Sequence, residues 1–147
     1  MEDGSLGTRY WLATFTKESW PTFLTIDPPT VGLKHLPPGI AVGDVFLNYV
    51  RSHGRTPGEW VSAERIQSES LYDSSHIYDD GVWPHRWLVE SLTARHTFGE
   101  GVVGRNLVCE LQLTRNLGRH WGSALRSPGR EIPAVDGQLL VRRLGEL

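Results

Sequence analysis

Apolar runs separated by turn residues divide the chain into short segments. Residues 8–14 are aromatic and apolar behind Gly7, which predicts a first strand. A tight turn at Pro38-Gly-Ile-Ala-Val-Gly-Asp44 leads into Asp44-Val-Phe-Leu-Asn-Tyr-Val50, a second strand. Residues 59–67 predict a third, paired with the second as a hairpin across the polar loop 51–58. Residues 86–93 predict a fourth, rich in residues suited to a pleated surface. Residues 17–24 have a helical look, with Thr16 as N-cap and Glu18 in the first turn. Pro21 should limit that helix to about one turn, and Trp20 and Phe23, three apart, share its face. Residues 26–38 read as loop, broken by Pro28, Pro29, Pro37 and Pro38, with room for one helical turn near Leu33. Residues 98–104 are a Gly-rich loop. Residues 106–113 suit a helix through Leu107, Val108 and Leu111, and a strand equally well through Leu107, Cys109, Leu111 and Leu113. Residues 121–130 read as a loop or short strand ending in a turn, and Asp136 as the cap of a last helix, 137–144, with Leu139, Leu140 and Leu144 inward. Strands with short helices, and no regular βαβ alternation, predict a small mixed α+β barrel and not a doubly wound sheet. Residues 8–147 form one domain in this reading, behind a flexible leader at 1–7.

The stretch Tyr78-Asp-Asp-Gly-Val-Trp-Pro-His-Arg-Trp-Leu-Val89 carries the most chemistry. Asp79, Asp80 and Gly81 make a turn. Pro84 pushes Trp83 toward an extended backbone and removes a ladder donor. Trp83 on the loop and Trp87 in the strand are either core or the frame of a slot for a flat ring, such as a base drawn out of a nucleic-acid stack.

Charge sharpens that choice. The 147 residues carry a net charge of −2, unevenly spread. Residues 1–94 hold 7 basic and 12 acidic side chains; residues 95–147 hold 8 and 5, and every basic one there is Arg. Arg105, Arg115, Arg119, Arg126 and Arg130 face a single acid, Glu110, over their span. Clustered Arg is either a solvated face or the footprint of phosphate contact. Six Trp is high for this length, and the 16 Gly and 9 Pro favour turns over long helices. One cysteine, Cys109, fits a reducing compartment, and its flanks read as core. No apolar run approaches the roughly 20 residues of a membrane span, and the N-terminus has no secretory pattern, so a cytoplasmic protein without a membrane is expected.

No reaction centre is visible. The six His have no helical pairing, and no nucleotide-binding glycine motif, Walker loop or nucleophile elbow is present. No cofactor and no metal are expected. Surplus aromatics on loops beside an Arg cluster describe a binding module. An enzyme would need an acid/base pair such as His85 with Asp79 or Asp80.

Four segments together resemble EVE domains, PUA-like barrels related to YTH domains. Arg9-Tyr-Trp-Leu12 is similar to the opening strand. Val42-Gly-Asp-Val-Phe-Leu-Asn-Tyr49 resembles the second-strand pattern. Val82-Trp-Pro-His-Arg-Trp87 sits where the family has an aromatic-bearing turn. Trp121-Gly-Ser-Ala-Leu-Arg126 followed by Glu131-Ile-Pro133 resembles the C-terminal segment before the last helix. The similarity covers about residues 8–145. It implies a strongly curved barrel of about five to six strands with short flanking helices, and a pocket for a flipped, modified base.

Carried onto this chain, the resemblance implies base contacts from Thr14, Phe15, Thr16, Trp20, Phe23 and Trp83, with Arg126 and Ser127 facing the phosphate or the base edge; hydrogen bonds to the base edge are assigned to Thr14, Thr16, Asn48 or Ser127, and Trp87 joins the base-binding set. Trp83 is one wall, Trp20 or Phe23 the other, and Trp87 is core or pocket floor. Phosphate contacts fall to Arg105, Arg115, Arg119, Arg126 and Arg130. The partner implied is DNA with methylated or hydroxymethylated cytosine or methylated adenine, with a nuclease or AAA+ protein acting beside it. Modified RNA, such as transfer RNA, is the alternative.

Overall fold

The computed structural model describes residues 7–78 and 81–147. Its centre is a pair of parallel strands, β1 (Tyr10–Phe15) and β3 (Val45–Val50), in register from Tyr10 opposite Val45 to Phe15 opposite Val50. Both are apolar almost throughout, as strands covered on both faces must be. Side chains alternate between two cores. Tyr10, Leu12, Val45, Leu47 and Tyr49 enter one, and Trp11, Ala13, Phe15, Phe46 and Val50 enter the other.

The sheet grows outward from this pair. β4 (Glu59–Ile66) runs antiparallel to β3 as the expected hairpin partner, with a bulge at Asn48/Tyr49. β6 (His85–Ser91) pairs with β4 through its C-terminal half and with β2 (Thr30–Leu33) through its N-terminal half. β5 (Leu71–Tyr72) joins β6, and β7 (Val102–Val103) joins β4. β8 (Glu131–Ile132) lies antiparallel to β1. The main path is therefore β2-β6-β4-β3-β1-β8. The mixed α+β class is as expected. The closed barrel is not: among the described residues β2 and β8 end the path unpaired to each other, and eight strands take part where the sequence predicts five or six.

Local differences have physical reasons. The loop 26–38 contains β2, because Val31, Gly32 and Leu33 bury against β6 and the prolines flank the strand without interrupting it. α1 (Ser19–Thr25) is not stopped by Pro21. Pro21 falls in the first turn, where its missing N–H costs no helical bond. Thr16 does not occupy the cap position, but its hydroxyl accepts from Ser19 N (3.0 Å) while Ser19 Oγ accepts from Thr16 N (2.8 Å). Residues 106–113 are neither a regular helix nor a strand, but a 3₁₀ turn, Gly104–Leu107, running into further turns. Gly118–Leu125 is also 3₁₀.

Asp136 is inside α2 (Ala134–Gly145) and does not cap it. Its carboxylate is buried and accepts from the backbone N–H groups of Gln112 and Leu113, both at 2.8 Å, which ties the turns to the helix. Leu140 and Leu144 are buried in the first core, and Leu139 is partly buried against it. Asp136→Ala leaves the Leu113 N–H without an acceptor and should cost about 2 kcal/mol, seen as a lower midpoint in urea unfolding.

Candidate functional site

The parallel pairing of β1 and β3 brings their C-terminal ends to the same edge. Arg51 N donates to Phe15 O at 2.9 Å there, extending the ladder by one step. A cavity of about 270 Å³ opens at this edge, lined by Thr14, Phe15, Thr16, Lys34, Arg51 and Trp83. Thr16 is fixed by its reciprocal bonds to Ser19. Lys34 follows β2, and its ammonium lies 4.9 Å from the centre of the Trp83 ring. The Arg51 guanidinium reaches Thr14 Oγ1 at 3.4 Å.

Trp83 is held in an uncommon conformation. Its φ is +51°, in the left-handed region that a side chain normally avoids. Such a residue costs roughly 1–3 kcal/mol and persists only where its surroundings over-determine it. Arg86 supplies that constraint from β6. Its guanidinium donates to Trp83 O (3.1 Å), Val82 O (2.8 Å) and Ser75 Oγ (3.2 Å), and also to Ser75 O. It pairs with Asp73 at 3.4 Å. Gly32 on β2 makes room beneath: a Cβ there would lie 2.8 Å from Trp83 Cβ. The indole is consequently mostly buried, 8% exposed, and offers a fixed wall.

The structure thus gathers Thr14, Phe15, Thr16 and Trp83 around one cavity. It places the other expected base contacts elsewhere. Trp20 and Phe23 stack on each other inside the second core, centroids 5.1 Å apart and 13° from parallel. Trp20 Nε1 donates to His96 O at 2.8 Å, so its polar edge is satisfied internally. Trp87 is buried edge-on to Phe46. Asn48 is fully buried and donates to Ser62 Oγ at 3.0 Å, and Ser62 donates to Glu64, which Arg95 clamps with two nitrogens. Ser127 is exposed in the turn before β8 and lines none of the cavities described here. The cavity also carries two cations, Lys34 over the Trp83 ring and Arg51. Sequence reading missed both. Arg51 was recoverable only with the knowledge that β1 and β3 run parallel.

A second cavity, about 400 Å³, adjoins the first across Arg51 and is lined also by Tyr49, Arg105, Trp121 and Arg126. A third, about 280 Å³, shares Trp121 and Arg126 with the second and adds Arg119 and His120. Among the described residues, no acidic residue lines any of the three. Among the described residues, none of Arg51, Arg105, Arg119 and Arg126 is in an ion pair. Arg115 and Arg130 are exposed but do not border these cavities. The contrast is with a cavity of about 600 Å³ near Trp11 and Pro37, whose cation Arg9 is already bound to Glu131 at 2.8 Å. That pairing, mainly through the hydrogen bond from Arg9, also holds the Glu131 carboxyl below its usual range.

Tyr49 lies under the second cavity, and its phenol is pushed up to about 12, first by burial and then by the nearby Glu59 carboxylate. Among the described residues, no group of three or more His, Cys, Asp or Glu is placed to hold a metal ion. Cys109 is exposed, not core. His85 packs edge-on to Tyr72, and its proposed partners Asp79 and Asp80 lie outside the described residues. Among the described residues no helix is long and apolar enough to cross a membrane.

No protein-family model and no curated protein matches the chain.

Two outcomes follow from this geometry. Arg86→Ala strands the Val82 and Trp83 carbonyls and releases the strained loop. It should cost about 2–3 kcal/mol, measured by urea unfolding. A neutral Tyr49 contributes stability that is complete below the ordinary tyrosine value of about 10. That contribution is lost as pH rises through about 12. Melting temperature between pH 9 and about 12 should therefore fall less in Tyr49→Phe than in the wild type.

Proposed function

We propose that the chain is a non-catalytic reader of a modified base in DNA, taking a flipped cytosine derivative into the Trp83 cavity and the strand along the adjoining cations. The observation that carries this reading is continuity. A recess with a fixed indole wall shares Arg51 with an arginine-lined cavity that, among the described residues, no acid lines. At about 270 Å³ the recess suits one ring system better than the larger ligands of typical pockets.

The energetics are consistent with weak, selective capture. Extruding a base costs a few kcal/mol. Contact with an aromatic face returns about 1–3 kcal/mol, and phosphate contacts add a salt-dependent remainder. A methyl group buried beside Trp83 adds roughly 0.8 kcal/mol, about a fourfold preference. Lys34 and Arg51 are donors only, so they suit an edge rich in acceptors. Cytosine, with O2 and N3 adjacent, fits that lining better than adenine. The resemblance to EVE domains points the same way, and a nuclease or AAA+ protein would act on what such a module marks.

Fluorescence anisotropy with single-stranded DNA carrying one 5-methylcytosine tests the reading. Affinity should exceed that for the unmodified strand, fall as salt rises, and drop about five- to a hundredfold in Trp83→Ala with the fold retained. The same modified base placed in RNA should bind more weakly. Equal affinity for modified and unmodified strands contradicts the proposal.

A further inference from the structure

The cavity beside the Trp83 recess has a polar floor with no use inside the protein. Tyr49 is 5% exposed, and its ring is edge-on to Trp60. Its hydroxyl makes no hydrogen bond among the described residues. The oxygen borders the cavity, so its hydrogen-bonding capacity is left for what enters there. Two glycines make room for the hydroxyl itself. A Cβ on Gly58 would lie 2.1 Å from that hydroxyl, and one on Gly104 2.8 Å from it.

The surroundings say what completes it. Arg51, Arg105 and Arg126 line the same cavity, and Trp121 forms one side. Glu59, whose carboxylate acts on the Tyr49 phenol, is buried and accepts from the backbone N–H groups of Gly99 (2.9 Å) and Gly101 (3.0 Å). The raised phenol keeps its proton throughout the neutral range and is therefore a donor. One hydroxyl donor and three guanidiniums, in a recess that no acid lines among the described residues, match an oxyanion with several acceptor oxygens.

We propose that this cavity is a phosphodiester subsite. The Tyr49 hydroxyl and the guanidiniums of Arg51, Arg105 and Arg126 hold the phosphate next to the captured nucleotide, and Trp121 stacks the neighbouring base. The proposal rests on the nucleic-acid reading above and gives it a footprint of two nucleotides, with Arg51 between them.

The test pairs variants with altered strands. Tyr49→Phe and Trp121→Ala should each weaken binding of a labelled single strand carrying one 5-methylcytosine about tenfold. Binding of the free 5-methylcytosine nucleoside, followed by NMR, should be unchanged. A strand with uncharged methylphosphonate linkages on both sides of the modified base should bind weakly to the wild type, with no further loss in Tyr49→Phe. Wild-type affinity in both folded variants overturns the subsite. Loss in Tyr49→Phe together with indifference to the modification and to Trp83→Ala would instead remove base capture and leave the phosphate site standing. If Tyr49→Phe does not fold, Arg126→Ala against the same methylphosphonate strand decides the matter by the same coupling. Competition by inorganic phosphate alone at the strength of the strand would assign the cavity to a free anion and overturn the strand subsite.

Discussion

The parallel pairing of β1 with β3 is the constraint on which the rest of this structure depends. Parallel neighbours need a long crossover, and here it holds α1 and β2. Because both strands run the same way, the residues leaving them, Thr16 and Arg51, emerge side by side. An antiparallel pairing would have sent them to opposite edges. The same pair divides the protein into two cores, so each side of the sheet is covered and the edge at the strand ends is left as a recess.

A second layer of organisation fixes what that recess contains. β2 delivers Lys34, and the turn before β6 delivers Trp83, with the ammonium over the indole. Neither is placed by local preference. Trp83 sits in a left-handed conformation held by Arg86, and the contact with β2 is possible only because residue 32 is glycine. A buried guanidinium is expensive unless every donor is used. Arg86 uses its donors on the backbone of the very turn that forms the cavity wall, so the rigidity of the wall and the integrity of β6 are one property.

Much of the fold was legible because it is local. The β3–β4 hairpin, β1 and the last helix follow from apolar runs and turn residues. Thr14, Phe15, Thr16 and Trp83 were also singled out together, and they do share a cavity. What could not be read is long-range. Trp20 and Phe23 do share a helix face, but nothing local says that this face packs on Phe15 instead of facing solvent. Lys34 and Arg51 enter the site through strand pairings between distant segments, which periodicity does not encode. Asp136 looks like an N-cap in sequence and is instead an anchor for residues 112 and 113, because its carboxylate points into the protein. An expected two-walled aromatic slot therefore became a single indole facing cations.

The central claim is that the Trp83 recess receives the base. Indole N–H signals from the six tryptophans offer a direct view of it. In a ¹H–¹⁵N titration with a strand carrying one 5-methylcytosine, the Trp83 signal should move, and those of Trp20, Trp60 and Trp87, each at most 1% exposed, should stay in place. A Trp83 signal that stays fixed while the strand binds would contradict the account.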